Sequence, residues 1–229
     1  MKDWFPLASY EFYAFLTTGM VALAAYDRVF MDSALAHEQH WTIVSGVFWV
    51  VIAYLAGQII AMPSSALLEH VVARRVFRPP SEIILGLHPP RRRERWIASI
   101  SGAREYQPFP ALNQTRILDK LAKGLSVTPA SVDGEAAFTA AFPHARGVAD
   151  TATRLDNFIN QYGMCRNVSM AAILATGMLS YASWRTHDHM TITLTVGSAI
   201  LAIGMFLRFI KFYAAYTREV FRVYDKVVA

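Results

Sequence analysis

The sequence predicts an all-α integral membrane protein: four transmembrane helices, with a helical cytosolic domain inserted between the second and third. Three observations predict it. Charged residues make up 17% of the 229-residue chain and hydrophobic residues 54%, against about 25% charged in an ordinary soluble domain. Four long runs carry no charge. Lysine and arginine are distributed unevenly around those runs.

The strongest run is 41–68, WTIVSGVFWVVIAYLAGQIIAMPSSALL. A spanning helix needs about 20 apolar residues; 42–62 supplies them, and Pro63 is a natural place for a kink or stop. The runs 167–184 and 190–207 show no polar face at helical spacing and are separated only by RTHDH, which fits an antiparallel hairpin. The run 12–26 is shorter, bounded by Glu11 and by Asp27 and Arg28. Ala22-Leu23-Ala24 resembles a signal-peptide cleavage site, but Asp3 and Glu11 spoil the basic start that such a peptide needs. The expected organisation is a transmembrane hairpin at 10–62, a cytosolic helical insert at 63–166, a second hairpin at 167–207 and an amphipathic cytosolic tail helix at 208–229.

Orientation follows from the charges. Of the 22 lysines and arginines, all but Arg28 and Arg185 lie at the N-terminus, in the insert or in the tail. The positive-inside rule therefore places both termini and the insert in the cytoplasm. The net charge of +5 and pI of about 9.4 suit an anionic inner leaflet. In the insert, Arg91, Arg92, Arg93 and Arg95 form the densest basic cluster. They are expected to resist translocation and to contact anionic lipid, with an anionic ligand or acidic neighbour as alternatives. Nucleic acid is disfavoured, because Trp96 alone makes no stacking platform. Arg166, Asn167, Arg208 and Lys211 flank the last two apolar runs as inner-interface anchors, and Arg166 is placed to snorkel to headgroups.

Within the insert, 64–77 reads as a helix leaving the membrane, broken by RPP and again by HPP. A short extended piece is expected at 81–87. Ile117, Leu118, Leu121 and Leu125 predict a helix over 111–125. A short helix is expected at 134–142, stopped by Pro143, and another from about 148 into the third span. In the tail, Phe209, Phe212, Tyr216, Val220 and Val223 share a face opposite Arg208, Lys211, Arg218 and Arg222. That helix either lies on the leaflet or packs on the insert or a sister subunit, and its aromatic content favours packing.

No phosphate-binding glycine loop, dinucleotide fingerprint or nucleophile elbow is present. The sequence predicts no enzyme, no cofactor and no metal site. The one cysteine, Cys165, permits neither an intrachain disulfide nor a cysteine zinc site. His37, His40, His187 and His189 fall in the two external loops and read as exposed loop residues; a divalent-metal or pH role is the alternative. No ionisable residue sits at the middle of an apolar run, which argues against a proton-coupled transporter. The pairs Ala53/Gly57, Ala171/Ala175 and Ser198/Ala202 allow close helix approach and point to a bundle or homo-oligomer.

Gly57-Gln58-Ile59-Ile60-Ala61 with Ser64, Ser65 and Glu69, and Tyr162-Gly163-Met164-Cys165-Arg166-Asn167, resemble segments of uncharacterised bacterial four-span inner-membrane proteins. Small membrane proteins with cytosolic domains resemble membrane effectors or sensors of phage-defence systems. The resemblance implies a homo-oligomeric sensor or pore-like effector whose cytosolic domain receives a signal. A non-conducting scaffold that anchors a cytosolic partner is the alternative. Lipids, sister subunits and a cytosolic protein or anionic ligand are the expected partners.

Overall fold

The computed structural model describes residues 10–100 and 106–228, and no strand occurs among them. Asp3 and the N-terminal lysine, Lys2, lie outside the described residues. The helices are α1 (Tyr10–Phe30), α2 (Ala34–His37), α3 (Ile43–Ser64), α4 (Pro80–Ile84), α5 (Arg92–Ile100), α6 (Ala111–Leu125), α7 (Gly134–Arg146), α8 (Ala149–Thr186) and α9 (His189–Val227). A π-helical segment, Ser65–Val76, continues α3. The chain divides into two compact units. The first comprises Met1–His70 and Gly163–Phe206; the second, Val71–Tyr162 and Leu207–Ala229.

In the first unit, α3 starts on a reciprocal capping box. Thr42 Oγ1 accepts from the Ser45 N–H at 3.1 Å, and Ser45 Oγ accepts from the Thr42 N–H at 3.0 Å. Beyond that cap α3 has no polar face, and Ile43, Val44, Ile59 and Met62 are exposed. The first half of α9 likewise exposes Val196, Ile200 and Ile203. The helix beginning at Ile43 and the helix beginning at His189 are long and apolar enough to cross a membrane. The other two charge-free runs fall in α1 and α8. α1 carries Glu11, Asp27 and Arg28, and the apolar half of α8 is diluted by Asn167, Ser169, Thr176, Ser180 and Ser183.

Backbone contact joins α1 to α3. A Cβ built on Gly19 would lie 1.6 Å from the Ala53 carbonyl oxygen, and one on Gly57 would lie 1.9 Å from that of Phe15. The small pair Ala53/Gly57 is thus an interhelical seam. On its other side α1 meets α8, where Ala25 packs with Ala175 and Leu179. Hydroxyls link α8 to α9: Ser169 Oγ donates to the Ala202 carbonyl at 2.9 Å, Thr176 pairs with Ser198 at 2.9 Å, and Ser183 with Thr195 at 3.1 Å. The α8 partners recur every seven residues, the spacing of a helix–helix seam.

Pro63 does not end its helix. The chain passes through it and changes from α to π hydrogen bonding at Ser65. Ser64, at that junction, is fully buried, and among the described residues its hydroxyl has no hydrogen-bond partner.

The second unit has a conventional core. Ile84, Leu85, Ile117, Leu121, Ala137, Ala141 and Leu155 pack with Val220 and Phe221 of α9. An aromatic layer of Tyr162, Phe209, Tyr213 and Tyr216 adjoins Phe138 and Phe142. The apolar face of the tail helix is therefore core. Its polar side is fastened too. Arg116 pairs with Asp225, the Lys120 ammonium donates to the Asp225 carbonyl at 2.7 Å, and Arg154 pairs with Glu219 at 2.7 Å. Arg218 donates to the Gln107 carbonyl at 2.9 Å and lies 4.5 Å from the Phe109 ring centroid.

Two local expectations are corrected. Instead of an extended piece at 81–87, Pro80 occupies the first turn of helix α4, where its missing N–H costs nothing. The chain then turns at Gly86, whose φ of +70° would strain any residue with a Cβ. Pro143 does not stop α7, which runs to Arg146; a proline removes only one ladder bond, and Gly147 N–H closes the turn on the Pro143 carbonyl at 3.0 Å. The basic cluster after HPP, for which the sequence assigned no element, is helical from Arg92 onward, as α5.

Candidate functional site

Three polar constellations stand apart from the apolar packing, two in the first unit and one in the second. In the first unit, Arg166 of α8 pairs with Glu69 of the π segment. Its Nε and Nη2 also donate to Asn167 Oδ1, both at 3.3 Å. The side chains of Arg166 and Glu69 are only 14% and 12% exposed, and Asn167 is buried. The guanidinium therefore turns inward, and its charge is spent on a specific carboxylate. Nearby, the Tyr10 hydroxyl lies 3.3 Å from Met164 Sδ, and Cys165 is buried.

The second constellation surrounds Arg28. Its Nη2 reaches Asp188 Oδ2 at 2.6 Å and Thr191 Oγ1 at 3.0 Å, and its Nη1 reaches Ser33 Oγ at 3.2 Å. Asp188 caps α9 by accepting from the Thr191 N–H at 3.0 Å and from its hydroxyl at 2.8 Å. These Thr191 bonds, with Arg28, pull the Asp188 carboxyl down to about 2. Asp27 is buried and accepts from the backbone N–H groups of Leu35 and Ala36, holding α2 against the end of α1. An apolar cavity of about 540 Å³ opens beside it, lined by Met20, Leu23, Leu35, Trp41 and Trp49 among others.

The third constellation is α5. Arg91, Arg92, Arg93 and Arg95 are exposed, whereas Glu94 among them is fully buried. Its Oε1 accepts from the Arg78 N–H at 3.0 Å and its Oε2 from the Arg91 N–H at 2.6 Å. The second bond is the return half of a capping box, from the third helical residue to the residue before the helix. The buried Tyr106 hydroxyl donates to the Arg78 carbonyl at 2.7 Å, and burial raises its pKa above the usual tyrosine value.

The structure thus brings Arg166 and Asn167 together with a partner, Glu69, that no local pattern announces. Arg208 is exposed and lies 5.3 Å from the Phe212 ring centroid; Lys211 is half-buried. His37 Nδ1 contacts the Ser33 carbonyl at 2.8 Å. Among the described residues no three His, Cys, Asp or Glu side chains converge as a metal site, so His37, His40, His187 and His189 form no cation cage. The sequence assigned no partner to Arg28, Asp188 or Glu94, which the structure supplies. The signal for Asp188 was present as an N-cap pattern, aspartate three residues before Thr191 at the start of an apolar run. Comparison with protein-family models, curated proteins and solved structures finds no match to the chain.

Proposed function

We propose that the chain is a bacterial inner-membrane protein with four spans and cytoplasmic termini, working as a homo-oligomeric sensor or pore-like effector of the kind used in phage defence. The 63–166 insert receives a signal and the membrane helices respond. The observation that carries the reading is the continuity of α8 and α9. They are 38 and 39 residues long, and each contributes residues to both units. At about 1.5 Å per residue each exceeds 50 Å, well beyond the ~30 Å of hydrocarbon that a span must cross. An unbroken helix transmits rotation or translation along its length.

The four-span count is supported by packing. α1 touches α3 backbone to backbone, and the α8–α9 seam is held by hydroxyl pairs. Interhelical hydroxyl bonds and close backbone approach suit a medium in which apolar burial gives no driving force. A non-conducting scaffold is the second reading, favoured by the exposed arginines of α5.

The test is ion flux through liposomes carrying the purified chain, as wild type and as Phe221→Ala, which loosens the core around the tail helix. The expected result is a change in flux of about tenfold, the effect of a ~1.4 kcal/mol bias on a two-state equilibrium. Tight bilayers for both proteins would overturn the pore-like reading and leave the scaffold.

A further inference from the structure

In the run Arg-Arg-Arg-Glu-Arg only Arg91 stands a helix turn from the acid; Arg92, Arg93 and Arg95 lie one or two residues away, spacings at which helix side chains do not face each other. Both Glu94 oxygens are taken by backbone N–H groups, and the carboxylate is fully buried. The Arg91, Arg92, Arg93 and Arg95 side chains stay exposed, and among the described residues they form no ion pair. The negative charge fastens α5 from within, while the positive charge is all turned outward.

α5 also sorts its residues by face. Arg92, Arg95 and Trp96 stand at i, i+3 and i+4, so they share one side. Trp96 is 64% exposed, while Ile97 is 4% exposed and faces the interior with Glu94. Arg93 lies 5.8 Å from the Phe77 ring centroid. A large indole left in water beside unpaired guanidinium groups is a surface awaiting a partner.

The chemistry chooses among partners. Single-stranded nucleic acid needs several stacking aromatics, and α5 offers one. An acidic protein would engage the arginines and leave the indole without a role. The headgroup layer of an anionic bilayer answers both groups, phosphates to the guanidinium ions and an amphipathic boundary to the indole. We propose that α5 docks on an anionic bilayer surface with Trp96 seated in the headgroup layer. The proposal rests on the membrane reading above.

The full chain is reconstituted in nanodiscs of phosphatidylcholine, with or without phosphatidylglycerol, using lipids brominated on the acyl chains. The difference in emission between wild type and Trp96→Phe isolates Trp96. Quenched, blue-shifted Trp96 emission is expected in anionic discs only. Each arginine near an anionic leaflet favours docking by about fivefold, so Arg92→Gln with Arg95→Gln reduces the docked-to-free ratio by about 25-fold and relieves the quenching. Trp96 emission untouched by bromine in anionic discs overturns the proposal, as does a Trp96 signal that responds to added RNA oligonucleotide and not to lipid. The Trp49→Phe difference tests the spans separately. Quenched Trp49 with unquenched Trp96 refutes docking alone; neither quenched refutes the spans as well.

Discussion

The two units are both helical, yet they are held together by different means. The first relies on small residues and hydroxyls: Gly19 and Gly57 against carbonyls, and Ser169, Thr176 and Ser183 across the α8–α9 seam. It turns Ile43, Val44, Ile59 and Met62 outward. The second buries Phe209, Val220 and Phe221 and fastens its surface with ion pairs. Expulsion from water drives helices together only where water is the alternative. The contrast is one of packing chemistry along a single chain, and the same α9 contributes residues to both units.

Substituting the closest contact should break the contrast most severely. In Gly57→Leu the new side chain has no space beside the Phe15 carbonyl, so α1 must leave α3. Loss of the folded first unit is expected by thermal unfolding in detergent, whereas Gly177→Ala, with nothing within 4 Å, should stay within about 1 kcal/mol of wild type. In the second unit the comparable lesion is a cavity. Phe221→Ala should cost about 3–5 kcal/mol and raise hydrogen exchange in α6, α7 and the end of α9 first. Equal loss of protection in α1 and α3 would contradict separate modes of packing.

Next comes the buried ion pair of the first unit. Arg166→Ala strands the Glu69 carboxylate and should cost about 3 kcal/mol, and Arg166→Met with Glu69→Leu should recover most of it. Failure of the double variant to recover would mean that the charges serve more than each other. The smallest effect is expected at the tail. Burial raises the Asp225 pKa, but the Arg116 hydrogen bond and charge, with Lys120, outweigh it and leave it lowered. A depressed carboxylate contributes stability above its unfolded value of about 3.9 and loses it as pH falls through the lower folded value. The end of α9 should therefore lose about 1 kcal/mol of protection below about pH 4. Asp225→Asn should remove that pH dependence, as read by hydrogen exchange across 220–228.

The sequence disclosed what periodicity and composition can disclose. The spacing of Ile117, Leu118, Leu121 and Leu125 marked α6 at its observed bounds, Ala111–Leu125. Ala53 and Gly57 announced close approach, though not that Gly19 and Phe15 would meet them. α5 stayed hidden because a charge run has no apolar period, and its cap is made by a buried acid on the backbone of Arg91 and Arg78. Glu69 and Arg166 could not be paired from sequence, since they are 97 residues apart and only tertiary structure joins them. Of the four charge-free runs, 41–68 reads strongest and 12–26 shortest; among the described residues, the helices beginning at Ile43 and His189 are the two apolar enough to qualify as spans on length and composition. Three of the polar residues in the α8 run, Ser169, Thr176 and Ser183, carry the hydroxyls that build its seam.

The π segment Ser65–Val76 has a consequence for how the gene can change. Each of its hydrogen-bonded loops encloses one residue more than an α turn does. A one-residue deletion between 65 and 76 can be absorbed by tightening a loop from i+5 to i+4, with the helix otherwise uninterrupted. The same deletion in α8 would rotate everything beyond it by about 100° and scramble a seven-residue seam. Single-residue deletions should therefore be tolerated in the π segment and purged from α8.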